Sequence, residues 1–245
     1  MALYTRICAA LTPLILLSAC LLTPGKFDSS LDIRKDGTFT FTYRGEVLAQ
    51  DMASSSDASG ETVKDETSDD ADAPDSIDAA GKDEVAGKDA AKAAKLQEIA
   101  DALLKEKGFR SARYMGGDTI EIDYAISGRL DHSFIFPFNI DAKAVFPFVA
   151  VEVRTDGKVR VQAPAFGDDS GKPGDMTGAM TGGMGDDGGA KGREGTFTLT
   201  TDAEVVSQNQ EDGATATPQG KRIVWKITPT TKVTPTAVLK LAGGR

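Results

Sequence analysis

Apolar and polar residues alternate along this chain in short bursts, and those bursts carry most of its structural information. Phe27, Leu31 and Ile33 alternate with Asp28, Ser30, Asp32 and Arg34; Phe39, Phe41 and Tyr43 alternate with Thr38, Thr40, Thr42 and Arg44. A period of two with one apolar side is the pattern of a half-buried strand. Parity then sets the turn between the two strands. A two-residue turn would bring Ile33 opposite Thr40, apolar against polar. The three-residue loop Lys35-Asp36-Gly37 brings Ile33 opposite Phe39 and Leu31 opposite Phe41, and Gly37 supplies the left-handed third residue that such a loop requires. The prediction is a three-residue hairpin with a bulge. The same grammar returns where Val149, Val151 and Val153 lead through Arg154-Thr155-Asp156-Gly157-Lys158 to Val159 and Val161. Convergent turn chemistry explains the repeat, and so does a duplicated unit.

Elsewhere the period lengthens. Leu96, Ile99, Ala100, Leu103 and Lys107 recur at steps of three and four, which predicts a helix from about Asp89. Asp83, Glu84 and Asp89 sit towards its start and Lys105 and Lys107 near its end, matching the helix dipole. Gly108 is its stop, with Phe109 folding back behind it. Ile120, Ile122, Tyr124 and Ile126 form another strand after a Gly116-Gly117-Asp118 turn, and Phe166 closes a further β segment. Strands resume at Phe197 and Leu199, run on through Val205, recur at Ile223, Trp225 and Ile227, and finish at Ala237 to Leu241 after Pro235. Trp225 is expected in the core. One helix among seven or eight strands is an α+β domain: mainly antiparallel sheet, its apolar face covered by the amphipathic helix.

Composition marks two stretches that do not join this pattern. Residues 51–95 hold thirteen acids and five lysines, and no aromatic occurs from Arg44 to Gly108. The part from 51 to 85 cannot bury enough apolar surface to fold and is expected to be a disordered acidic loop. Eleven glycines in residues 167–195 mark a second, Gly- and Met-rich loop. Long insertions of this kind add little closure entropy, because that cost grows only logarithmically. Over all 245 residues, 37 acids against 28 bases give a net charge of -9. That balance argues against nucleic acid as a partner, since phosphates demand clustered Lys and Arg.

The N-terminus has a different character. One basic residue, Arg6, precedes an apolar run from Ile7 to Ala19, too short to span a bilayer comfortably and typical of a secretory signal. The run ends Leu17-Ser18-Ala19-Cys20, which resembles the lipobox of bacterial lipoproteins. The resemblance implies cleavage after Ala19 (residues 1–19 being the signal peptide), a diacylglyceryl group on the Cys20 thiol, and palmitate-type acyl chains that hold the protein to the extracytoplasmic face of a membrane. Leu21 rather than Asp after the cysteine implies, by the same resemblance, the periplasmic side of an outer membrane where the cell has one. Residues 20–26 would then be a lipid-anchored tether and 27–245 a single domain. With Cys8 lost and Cys20 acylated, the mature chain keeps no thiol for a disulfide. One acyl chain binds marginally; two or three hold stably.

Chemistry is sparse. His132 is the only imidazole, and the chain has no G-x-S-x-G, P-loop or H-E-x-x-H. A surface or turn role suits His132 better than catalysis, and no pair of carboxylates is singled out for hydrolysis. Met176, Met180 and Met184, spaced by four, are a soft-ligand set for Cu(I) on one reading and incidental residues of a Gly-rich loop on the other. Asp168-Asp169 and Asp186-Asp187 lack the ligand alternation of a calcium loop. No metal and no cofactor is expected. The most informative pair is Phe136-Pro137-Phe138 and Phe146-Pro147-Phe148. Proline cannot donate to a ladder, so both segments lie at strand edges, starts or bulges. Phe136, Phe138, Phe146 and Phe148 either close the core or line an apolar surface for acyl chains or a protein partner.

Cys20, the early strand with its Asp36-Gly37 turn and the late Trp225 strand together resemble bacterial lipoproteins with an LppM-type domain. Members of that family commonly end in a membrane-spanning segment, whereas this chain ends Leu239-Lys240-Leu241-Ala242-Gly243-Gly244-Arg245. The expectation is a lipid-anchored, non-catalytic binding or structural module of the cell envelope, engaging a membrane through its acyl chains and an envelope protein or lipid through an apolar surface. The competing expectations are a carrier of lipid-like ligands and a carboxylate-based enzyme.

Overall fold

The computed structural model describes residues 20–51, 80–137, 147–168 and 192–242. Strands β1 (Cys20–Ile33) and β2 (Thr38–Asp51) form the predicted hairpin, with Ile33 opposite Phe39 and Leu31 opposite Phe41. The Arg34 N–H donates to Thr38 O at 2.8 Å and the Gly37 N–H to Arg34 O at 2.9 Å, while Gly37 adopts φ 85°. Strands β6 (Val149–Val153) and β7 (Lys158–Gln162), which follow β5 (Phe134–Phe136) in the chain, repeat that turn bond for bond, with Gly157 at φ 74°.

Helix α1 (Ala80–Leu103) is the one α-helix among the described residues, and mostly antiparallel sheet makes up the remainder, an α+β fold. Strands β3 (Phe109–Gly116), β4 (Thr119–Arg129), β8 (Glu194–Thr201), β10 (Thr215–Thr217) and β11 (Gly220–Ile227) join β1 and β2 in a seven-stranded sheet ordered β10-β11-β8-β1-β2-β4-β3. Strands β9 (Glu204–Gln208) and β12 (Thr236–Lys240) join the others in a five-stranded sheet ordered β5-β6-β7-β12-β9. The β1–β8 pair is parallel. Gly195 on β8 lies directly opposite Phe27, where a Cβ would stand 2.2 Å from the Phe27 carbonyl oxygen, so only glycine lets the two strands approach.

The two sheets face one another, and this corrects the expectation that the helix covers the apolar face. Aromatic rings fill the interface: Phe39 meets Phe134 at 5.1 Å, Phe41 meets Phe136 at 5.0 Å, Tyr43 meets Phe148 at 5.6 Å, and Phe166 bridges Phe27 and Phe197. Helix α1 packs only at the β3 end, burying Leu96 and Ala100 and pairing Lys92 with Asp118 at 2.7 Å. It starts at Ala80, some way before the first stripe residue. Residues 80–88 include Gly81, Asp83 and Gly87, which have low helix propensity, so this extension rests on propagation from the packed segment behind it. Beyond Gly108, Phe109 turns back and meets Tyr124 edge-on at 4.9 Å.

Residues 20–26, expected to be a tether, are strand: Leu22 pairs with Ala49 and Pro24 with Val47, and a bulge before Phe27 restores the register. Buried Val47 and Ala49 on β2 give that segment an apolar partner. The acidic and glycine-rich loops are correspondingly shorter than expected, since β2 runs to Asp51, α1 takes residues 80–85, and β8 begins at Glu194. Their remainders lie outside the described residues. Phe166 ends a 3-10 turn rather than a strand, and Val205 belongs to β9 in the other sheet, reached through a break at Asp202-Ala203.

Candidate binding surfaces

The predicted aromatic site divides. Phe136 and Phe148 are buried to 2% and 0% exposure, and their rings contact other rings rather than an opening. Phe136 alone has Phe41, Tyr43, Tyr124 and Phe148 around it. Both therefore act here as core. Phe138 and Phe146 lie outside the described residues, as do Met176, Met180, Met184, Asp169, Asp186 and Asp187. Cys20 is the first residue of β1 and pairs with Asp51. His132 is 84% exposed and its Nδ1 approaches only the neighbouring Asp131 carboxylate, at 2.5 Å. Among the described residues no group of three or more His, Cys, Asp and Glu stands together as a metal site, and no helix is long and apolar enough to cross a membrane.

Two surface clefts stand out among the described residues. The first, about 720 Å³, lies where the two Asp-Gly hairpin tips meet, between Asp36, Arg129 and Asp131 on one side and Arg154 and Thr155 on the other. Hairpin chemistry builds it. Asp36 accepts from the Thr38 N–H at 2.9 Å and hydroxyl at 2.7 Å, and these bonds, with Arg129 nearby, hold its carboxyl below the usual range. Asp156 is lowered in the same way by the Lys158 ammonium and N–H. The end of the chain stitches the tips together: the Leu241 N–H donates to Gly157 O at 3.1 Å and the Ala242 N–H to Lys35 O at 2.8 Å. The Arg129 guanidinium fastens the rim through the Asp36 carbonyl at 2.8 Å.

The second cleft, about 410 Å³, runs beside β11. Its floor is Val224 to Ile227, and its far wall comes from residues 209–212 and from Thr231, Val233 and Pro235. Asn209 brackets wall and sheet together. Its Oδ1 accepts from Trp225 Nε1 at 3.1 Å and from the Thr236 N–H at 2.9 Å, while its Nδ2 donates to Thr234 O at 2.7 Å. Trp225 is itself stacked on Phe197 at 5.5 Å. Sequence reasoning placed Trp225 in the core but missed Asn209, which follows a strand with no motif around it.

Behind Thr231 of the second cleft, Arg193 is a buried cation. Its Nη2 donates to Asp168 Oδ1 at 2.7 Å and Thr231 O at 3.0 Å, and its Nη1 to Ala165 O at 3.3 Å. Between the sheets Tyr43 is wholly buried and donates to Glu46 O at 2.9 Å. Burial, with the Glu46 charge adding to it, pushes the Tyr43 hydroxyl well above the usual tyrosine range.

No family model matches the chain, and no curated protein matches it either. Among solved structures it is similar to the NMR structure of the folded domain of the LppM protein of Mycobacterium tuberculosis. The identity is 14%, the match covers 90% of this chain and 92% of that one, and the TM-score is 0.34.

Proposed function

We propose that the protein is a lipid-anchored envelope lipoprotein acting as a non-catalytic binding module, tethered through acyl chains on Cys20 and engaging its partner through a surface cleft. The observation that carries this reading is the Leu17-Ser18-Ala19-Cys20 sequence together with the position of Cys20 as the first residue of β1. Strand β1 rises about 3.3 Å per residue, so its fourteen residues carry the chain about 40 Å away from the anchor to the hairpin tips. The paired start of β1 leaves no slack between lipid and sheet, so the domain stands on the membrane and presents the hairpin cleft at its far end. With Phe136 and Phe148 buried in the core, the two clefts are the surfaces among the described residues that support this engagement.

Radiolabelled palmitate supplied to cells expressing the chain tests the anchor. Incorporation that disappears in Cys20→Ser, with loss of detergent-phase partitioning, is the expected result; label retained by the serine variant refutes it. Mass spectrometry of ligands that co-purify with lipid-free protein separates module from carrier, because a recurrent acyl species would replace this reading with that of a lipid carrier.

A further inference from the structure

Strand β11 has eight residues, but its outer neighbour β10 pairs only with Gly220, Lys221 and Arg222. Thr217 and Gly220 close the tight β10–β11 turn as a mutually bonded pair. By alternation, the even-numbered residues of β11 then aim their N–H and C=O groups towards the β10 side and the odd-numbered ones towards β8. Past Arg222 the chain of residues 209–214 swings away to reach the other sheet. The backbone groups of Val224 and Lys226 are left facing the second cleft, with no backbone or side-chain bond on that side among the described residues.

We infer that this cleft is a strand-addition site that takes an extended peptide segment carrying a basic side chain. An unpaired strand edge is a template for another strand, with main-chain bonds giving affinity and flanking side chains giving selectivity. The wall supplies that selectivity. Exposed Glu211 and Asp212 outnumber Lys226, the basic residue of the lining, and favour a cation, and Val233, 58% exposed, offers an aliphatic contact. Gln210 Oε1, in the same wall, is a buried acceptor without a donor among the described residues, which an incoming N–H would satisfy. A second copy of this chain fits less well, because its edge strand would bring a whole sheet behind it against the wall at 209–212. The inference deepens the binding-module reading by naming its partner, and it is independent of the anchor, which palmitate labelling decides separately.

The test uses the full-length chain in detergent and a short synthetic peptide of alternating valine and threonine with one central lysine. Amide resonances of Val224 and Lys226 should shift on titration. A matched peptide with glutamate for lysine should bind about tenfold more weakly, and an N-methylated backbone should abolish binding. The Glu211→Lys, Asp212→Lys double variant should reverse the charge preference. If that variant does not fold, the lysine and glutamate peptides compared on the unaltered chain decide alone. Silent Val224 and Lys226 amides at millimolar peptide, or equal affinity for the two peptides, overturn the inference. So do shifts that follow protein dilution instead of peptide, which would assign the edge to a second copy.

Discussion

Truncating Phe136 to alanine tests whether the space between the sheets is packed core or ligand groove. Phe136 is 2% exposed, and its ring centroid lies 4.6 Å from Tyr124, 5.0 Å from Phe41, 5.4 Å from Tyr43 and 5.9 Å from Phe148. Removing a buried phenylalanine costs about 3–5 kcal/mol, and ring pairs of this geometry add about 0.5–1.5 kcal/mol each beyond area. Four such pairs are lost, so the upper part of the first range applies, about 4–5 kcal/mol. With a domain stability of about 5–15 kcal/mol, Phe136→Ala should fold but marginally. Urea unfolding followed by the fluorescence of Trp225, the single tryptophan, gives the measurement. At a slope of about 2 kcal/mol per molar urea, the midpoint should fall by about 2 M with the slope unchanged. Ile135, the adjacent residue on β5, is 40% exposed, so Ile135→Ala should cost under about 1 kcal/mol. A Phe136→Ala cost as small as that of Ile135→Ala would refute the packed interface and return Phe136 to the role of a ligand-facing side chain.

Three further outcomes follow from single groups. Arg193→Ala strips the donors from Ala165 O and Thr231 O and should lower stability by about 2–3 kcal/mol, and Asp168→Asn, which leaves the buried guanidinium without its carboxylate, should cost as much, about 3 kcal/mol; thermal melts of the two variants check both. Asp36 and Asp156 have lowered pKa values in the fold, so their bonds add stability that is whole above the ordinary carboxylate range and is lost as the pH falls from there through the lowered values. Amide exchange at Thr38 and Lys158 should accelerate on acidification in the parent, after correction for intrinsic rates, and lose that extra dependence in Asp36→Asn, Asp156→Asn. Tyr43 shifts the opposite way: its raised pKa contributes stability that is whole below the ordinary tyrosine range and is lost as the pH climbs past it. Tyr43→Phe should therefore cost about 1 kcal/mol at neutral pH, through the unpaired Glu46 carbonyl, yet flatten the alkaline loss of stability seen by denaturant titration.

The hairpins were legible down to their register because alternation and an Asp-Gly pair allow only one loop length that sets apolar faces together. Strand β3 was not, because Arg110, Ser111, Arg113 and Met115 give it no apolar alternation and its inward residue Ala112 is small. The division into two sheets was hidden for a different reason. A period of two tells which side of a strand is buried, not which sheet the strand joins, and Thr200-Thr201-Asp202-Ala203 looks continuous with both β8 and β9. That is why one helix was expected to cover a face that a whole sheet covers. The aromatic cluster was found, but the same apolarity that made Phe136 and Phe148 conspicuous sends them inward. The clefts are built from Asn209, Gln210, Glu211, Arg129 and backbone groups, residue types that carry no signal until the topology brings them together.

The parallel pairing of β1 with β8, from Lys26 with Glu194 to Ile33 with Thr201, governs the order in which the molecule is assembled. A nascent chain makes its first hairpin almost at once, from neighbours in sequence, but the other edge of β1 waits until nearly the whole polypeptide has been synthesised. High contact order of this kind slows folding, and throughout the delay an unprotected edge and the greasy faces of Phe27, Leu31 and Ile33 stand open to aggregation. Truncations that remove β8 should therefore leave insoluble product even though every residue of the first hairpin is intact.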